Sequence, residues 1–220
     1  MAWRLAEDGS PYHTLSVTIA AKGKAKVAGT LADGTKVSGV KGQLIVGENW
    51  CCVPVVCAKR GVRLAFNVWL PKAATSAALP VVYGLGEAIA GKPGTLKGGA
   101  VFQIDAAALG PVLGKTLLPY LPDGLAVTGG AKWTLPKAGK VVYVKGTTTV
   151  DETKAGENPS GLKLTYKAKD GTFKGSFKAY ADVGGKPKAT TVKVSGVVVD
   201  GIGYGAATVK KVGGVPVKIE

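Results

Sequence analysis

Histidine is nearly missing from this chain of 220 residues: His13 is the only one, and methionine also occurs just once. A metal centre built on two imidazoles is thereby excluded. A Ser-His-Asp triad would have to use His13, which stands at the start of the first strand pattern with no Gly-x-Ser-x-Gly elbow to accompany it. Arginine is almost as scarce, limited to Arg4, Arg60 and Arg63, although the chain carries 29 basic and 14 acidic residues and a net charge of +15. Proteins that read base edges or grip phosphates in a bidentate way rely on arginine, so specific nucleic-acid recognition is not expected. No apolar run approaches the roughly 20 residues of a membrane-spanning helix; the longest, 73–85, contains Pro80 and Gly84. Glu7 and Asp8 stand where a secretory leader needs a basic start and an apolar stretch.

Cysteine is limited to Cys51, Cys52 and Cys57. On a strand, Cys51 and Cys57 share a face but lie about 20 Å apart, and Cys52 faces the other way. Neither a zinc site nor a disulfide within this strand fits that spacing. Buried structural thiols are expected, with no metal and no other cofactor.

What is abundant is glycine, 33 residues, with 12 prolines and a hydrophobic fraction of 46%. That apolar content is too high for a disordered chain, and the turn residues recur at short intervals between alternating segments. Leu15, Val17 and Ile19 alternate with Ser16, Thr18 and Ala20; strand patterns follow at 27–31, 35–46, 50–58 and 62–70. Near the other end Leu162, Leu164 and Tyr166 oppose Lys163, Thr165 and Lys167, and Phe173, Gly175 and Phe177 oppose Lys174, Ser176 and Lys178. Val192 and Val194 alternate with Thr191, Lys193 and Ser195, and 196–199, 203–211 and 215–219 complete the run.

The turns of the two ends correspond. Lys22-Gly23 answers to Asp170-Gly171, Asp33-Gly34 to Gly184-Gly185, Gly47-Glu48 to Asp200-Gly201, and Arg60-Gly61 to Gly213-Gly214, at offsets of 148, 151, 153 and 153. The expected architecture is all-β: a duplicated antiparallel β-meander, as two small barrels or sandwiches or as one pseudo-twofold barrel. Residues 1–71 form the first copy, 161–220 the second, and 72–160 a mixed insert with short strands near 81–83 and 99–104. In the insert Asp105 is placed to cap a short helix from Ala106, which Gly110-Pro111 and Gly114 should interrupt before Leu118.

Candidate chemistry is thin. The acids stand in turns, as Asp33-Gly34, Asp123-Gly124, Asp170-Gly171 and Asp200-Gly201, or in the polar connector as Asp151, Glu152 and Glu157. Turn geometry accounts for them, because Asp tolerates left-handed backbone and bonds its own chain. A carboxylate pair assembled across the copies would make a glycoside-active enzyme, and that is the reading from another functional class. Gly201-Ile202-Gly203-Tyr204-Gly205 lacks the helix that a dinucleotide loop requires. Two surface features remain. Lys163, Lys167, Lys174, Lys178 and Lys193 fall on one face of the second copy, where they discourage edge-to-edge pairing and attract an acidic polymer. Among the aromatics, Trp50, Trp69, Trp133, Tyr166, Tyr180 and Tyr204 are candidates for stacking on sugars; Tyr180, on the lysine face of its strand, is the leading one.

Gly29-Thr30-Leu31-Ala32-Asp33-Gly34-Thr35-Lys36-Val37-Ser38 and Gly171-Thr172-Phe173-Lys174-Gly175-Ser176-Phe177-Lys178 resemble β-rich repeat modules of large bacterial secreted or cell-surface proteins. The stretch Gly196-Val197-Val198-Val199-Asp200-Gly201-Ile202-Gly203-Tyr204-Gly205 is similar to the closing part of such repeats. The resemblance covers about half the chain and is carried by turns and barrel strands. It implies a noncatalytic, extracellular or cell-surface module at the C-terminus of a longer protein, with the leader and further domains lying upstream. Its function would be adhesion or attachment, or service as a structural spacer, and the implied partner is a polysaccharide or acidic polymer. A carbohydrate-binding module using exposed aromatics is the alternative.

Overall fold

The computed structural model describes residues 2–4, 11–32, 34–59, 62–71, 81–83, 87–89, 94–130, 133–136, 141–144, 147–150, 158–209 and 212–220. Strands take up 57% of it, and there is one short helix. The first copy carries β1 (Ala2–Arg4), β2 (His13–Ile19), β3 (Lys24–Thr30), β4 (Lys36–Gln43), β5 (Ile45–Val46), β6 (Trp50–Lys59) and β7 (Val62–Pro71). The central segment carries β8 (Val81–Tyr83), β9 (Glu87–Ile89), β10 (Ala100–Ile104), the helix α1 (Ala106–Leu113), β11 (Leu125–Val127), β12 (Val141–Val144) and β13 (Thr147–Val150). The second copy carries β14 (Lys163–Lys167), β15 (Thr172–Asp182), β16 (Pro187–Val199), β17 (Ile202–Val209) and β18 (Gly213–Ile219). All the pairings are antiparallel, as the all-β reading requires.

The second copy joins β10 and β11 of the central segment in one curled half-barrel of seven strands, in the order β11-β10-β18-β17-β16-β15-β14. Its hairpins use the predicted glycines. Asp200-Gly201 (φ 50° and 84°) and Gly184-Gly185 (φ 63° and 75°) supply paired positive φ values, which suit the twist of adjoining strands. Curling needs room on the inner face. Gly196 and Gly205 are cross-strand partners, and a Cβ on Gly196 would stand 2.2 Å from the Phe173 ring and 2.3 Å from the Tyr204 carbonyl. Phe173 therefore lies across two glycines and fills the space that they leave open.

The inner face is closed by α1 and by the segment around Trp133. Phe102, Phe177, Leu162, Leu109 and Ile219 are all but fully buried in this core. Trp133 stacks on Tyr166 at 4.9 Å and 5° and leans on Phe173 at 5.4 Å, so both candidates of the sequence reading, Trp133 and Tyr166, are packing residues. The Tyr166 hydroxyl donates to the Gly94 carbonyl. Burial, aided by the negative Asp170 nearby, pushes that phenol above its ordinary range.

The first copy bends into two sheets where the second stays whole. β4 pairs with β3 in a sheet ordered β4-β3-β2-β1-β9, whereas β5 joins β6, β7 and β8. The expected single strand over 35–46 is broken at Leu44, whose N–H donates to the Gly23 carbonyl at 2.7 Å. An irregularity between Val27 and Gly29 bends the ladder on the same sheet. The two sheets enclose a separate core of Leu15, Val27, Leu31, Val37, Val53 and Val55.

Three further expectations need adjustment. The helix runs through Gly110-Pro111 to Leu113 and ends on Gly114 in the left-handed region. Pro111 removes one intrahelical donor, but Ala107, whose carbonyl loses it, is exposed and open to water. Gly213 lies inside β18, and the last turn of the second copy falls just before it, closed by Val212 N–H to the Val209 carbonyl. The strand-like pattern of the sequence at 131–135 forms no strand where it is described; Thr128 N–H and hydroxyl meet Thr134 across a loop instead. Asp33, Arg60-Gly61 and 151–157 of the polar connector lie outside the described residues.

Candidate binding faces

The outer face of the half-barrel carries the lysines in a regular order. Across β14, β15 and β16 the register places Lys163 opposite Ser176 and Ser176 opposite Lys193. One step along, Lys174 stands between Thr165 and Ser195; Lys167 faces Thr172, and Lys178 faces Thr191. Lysine and hydroxyl alternate in both directions, and no lysine directly opposes another. That spacing avoids the cost of like charges across a ladder and spreads positive charge over the sheet. Two of the lysines are tied locally: Lys178 donates to the Thr191 hydroxyl and Lys167 pairs with Asp170. All five are exposed, and the structure brings them to one face as the alternation predicted.

Tyr180 also lies on this face but is half-buried. Its carbonyl accepts the Leu118 N–H at 2.8 Å, and Leu117 bridges to Ala181, so a strap from the central segment covers the free edge of β15 here. Tyr180 stands at this covered end, opposite Ala189. Tyr204 is half-buried too and meets the buried Tyr12 edge-on at 5.4 Å, where the first copy rests on Val197 and Val199 of the second.

Trp50 and Trp69 form a different face. The pairing of β5, β6 and β7 aligns Ile45, Cys52 and Trp69, and places Trp50, Pro54 and Val56 on the same side. The two indoles meet edge to face at 4.7 Å and 61°. Trp50 is 39% exposed, Ile45 48% and Val56 70%, and Asn67 is the polar residue among them. The structure thus settles the side of Trp69, which alternation alone left ambiguous. It also adds Ile45 and Val56, which sequence reasoning passed over because an apolar strand face normally signals a core.

Cys52 is buried beneath Trp69 and Ile45, and burial pushes its thiol above the ordinary range, which makes it a poor nucleophile. Cys51 is half-buried, and both thiols are free. The side chain of Cys57 lies outside the described residues. His13 holds the turn after β3, its Nδ1 accepting the Ala32 N–H at 2.8 Å.

Four of the described aspartates, Asp105, Asp123, Asp170 and Asp182, are engaged by the backbone. Asp105 caps α1 by accepting the Ala108 N–H, Asp123 accepts the Ile104 N–H, and Asp182 accepts the Gly185 N–H. Asp170 accepts from Thr172 and Lys167 in its hairpin. Burial pushes the Asp170 carboxyl up, but those hydrogen bonds and the Lys167 charge outweigh it and hold the group below the usual carboxylate range. Among the described residues no cluster of three or more metal-ligating side chains occurs, and no helix is long and apolar enough to cross a membrane.

Between the copies runs a groove of about 570 Å³. One wall is the outer face of β14–β16, and the other is the side of β2–β4 that turns away from the first core. No alternation within one copy reveals it, because it exists only where two polar sheet faces meet. Comparison with known proteins finds no matching family model, no matching curated protein and no matching solved structure. The functional reading therefore rests on these faces alone.

Proposed function

We propose that this chain is a noncatalytic adhesive β module of a secreted or cell-surface protein, one that attaches to an acidic polymer through the lysine face of its second copy. The observation that carries the reading is the alternation of exposed lysine with Ser and Thr across β14–β16. Dispersed ammonium groups on a rigid sheet attract a polyanion without requiring one fixed pose, and long flexible lysines follow an irregular ligand better than arginine forks do. The sequence resemblance to bacterial surface repeats supports the extracellular setting.

The test is cosedimentation with an insoluble acidic polysaccharide at low and high salt. Retention at low salt, its loss at high salt, and a marked weakening in Lys163→Gln/Lys178→Gln/Lys193→Gln are expected. Retention indifferent to salt and to the triple variant would overturn the reading. A second reading, sugar binding at Trp50 and Trp69, is favoured by the exposure of Trp50 and its edge-to-face contact with the half-buried Trp69. It predicts binding that survives high salt and is lost in Trp50→Ala.

A further inference from the structure

The groove between the copies has a chemistry of its own. Three ammonium groups line it, Lys167 and Lys174 from the second copy and Lys36 from the first. Lys36 lies on β4 and belongs to no part of the lysine face. Three of the hydroxyls beside them are already committed as donors. Thr14 Oγ1 donates to the Thr30 carbonyl at 3.4 Å, Ser16 Oγ to the Ala28 carbonyl at 3.2 Å, and Thr172 Oγ1 to Asp170 at 2.6 Å. Their oxygens keep acceptor lone pairs. The groove therefore presents cations for an anion and hydroxyl acceptors for a ligand that itself donates.

That combination selects a chemical class. A phosphodiester backbone or polyphosphate brings anionic acceptors but few donors, and would leave the acceptor oxygens of Thr14, Ser16 and Thr172 unmatched. A neutral sugar donates hydroxyl protons but carries no charge to compensate Lys36 and Lys174, whereas Lys167 is already paired with Asp170. A carboxylated sugar supplies both. Base stacking is also poorly served, because the two aromatics that line the groove, Phe173 and Tyr166, already pack against Trp133. The volume lies within the range of small-ligand sites, which suits a short oligomer, not the broad contact of a sheet face.

We propose that the groove between β2–β4 and β14–β16 holds a short segment of an acidic oligosaccharide, with Lys36 and Lys174 meeting its carboxylates. This inference rests on the acidic-polymer reading above and gives it a defined subsite. It is tested by calorimetric titration of the full chain with a trimer of galacturonic acid, alongside its neutral methyl ester and a short oligothymidylate.

Saturable 1:1 binding of the acid trimer is expected, weakened about tenfold in Lys36→Gln. Binding should be abolished in Ser38→Phe, which fills the groove from an exposed position. Lys22→Gln/Lys97→Gln, exposed and outside both the groove and the lysine face, should bind within twofold of the parent. Unfolding midpoints of the variants identify any that fail to fold. Absence of trimer binding while polymer retention stays lysine-dependent would overturn the subsite and leave the adhesive reading intact. Equal binding of the methyl ester or the oligothymidylate would overturn the assignment of ligand class. Loss of polymer retention by the parent chain would remove both.

Discussion

The two copies share a succession of hairpins and turn opposite chemistries to solvent. On β14–β16 the outward positions are lysine, serine and threonine; on β5–β7 they are Ile45, Trp50, Pro54, Val56 and Trp69. The backbone explains part of the contrast. The second copy keeps one continuous sheet, with an inner face packed on its core and an outer face that is charged where the first copy does not rest on Val197 and Val199. The first copy breaks at Leu44, so β5–β7 leave the sheet of β2–β4 and pack one side, through Val53 and Val55 of β6, on the core with Leu15, Val27 and Val37. Their other side is left apolar and open. One meander presents a charged platform and the other an aromatic one.

The comparison is broken most severely by damage to a core. Phe177 is 1% exposed inside the half-barrel, and Phe177→Ala should cost about 3–5 kcal/mol, read as a lowered midpoint in urea. Leu15→Ala in the core of the first copy should cost about 2–5 kcal/mol. If the two cores are separate, hydrogen exchange will show each loss confined mainly to its own copy. Protection lost equally throughout would mean a single cooperative core.

A smaller effect is expected at His13. His13→Phe removes the acceptor of the Ala32 N–H and should cost about 1–3 kcal/mol, by thermal or chemical denaturation. It acts on the turn after β3, so the corresponding Gly184-Gly185 turn should keep its exchange protection.

Acid should distinguish the copies as well. The Asp170 carboxyl is held below its ordinary range in the folded state, so its stabilising contribution is present above the unfolded carboxylate pKa. It is lost as pH falls through the lower folded value. The corresponding turn of the first copy, Lys22-Gly23, has no carboxylate in that place. Asp170→Asn should flatten the acid limb of the stability curve by a small amount, since the group is partly solvated; an unchanged limb would contradict the pairing with Lys167 and Thr172. Smallest of all is Val56→Lys. The residue is 70% exposed, and the change should move stability by less than about 0.5 kcal/mol. A large loss would show that the aromatic face is covered.

The turns were legible in the sequence because their residues act locally. Asp200-Gly201 and Gly184-Gly185 adopt positive φ whatever lies around them, and Asp105 caps its helix within three residues. Alternation placed all five lysines on one face for the same reason. Features decided at a distance were hidden. Leu44 breaks its strand through a bond to Gly23, and Pro111 is tolerated because one carbonyl happens to face water. The groove depends on Lys36 and Lys174, which lie far apart in sequence on two polar sheet faces. Tyr180 has the right parity for a binding platform, yet it stands where a distant strap crosses the sheet edge.

The central claim is that charge on the second copy, not aromatic surface on the first, makes the chain adhere. The direct measurement is the affinity for an acidic polysaccharide as a function of salt, in the parent, in Lys163→Gln/Lys178→Gln/Lys193→Gln and in Trp50→Ala. A steep fall with salt in the parent, a shallower and weaker curve in the lysine variant, and a parent-like curve in Trp50→Ala are predicted. A flat curve abolished by Trp50→Ala alone would contradict the account and assign binding to the aromatic face.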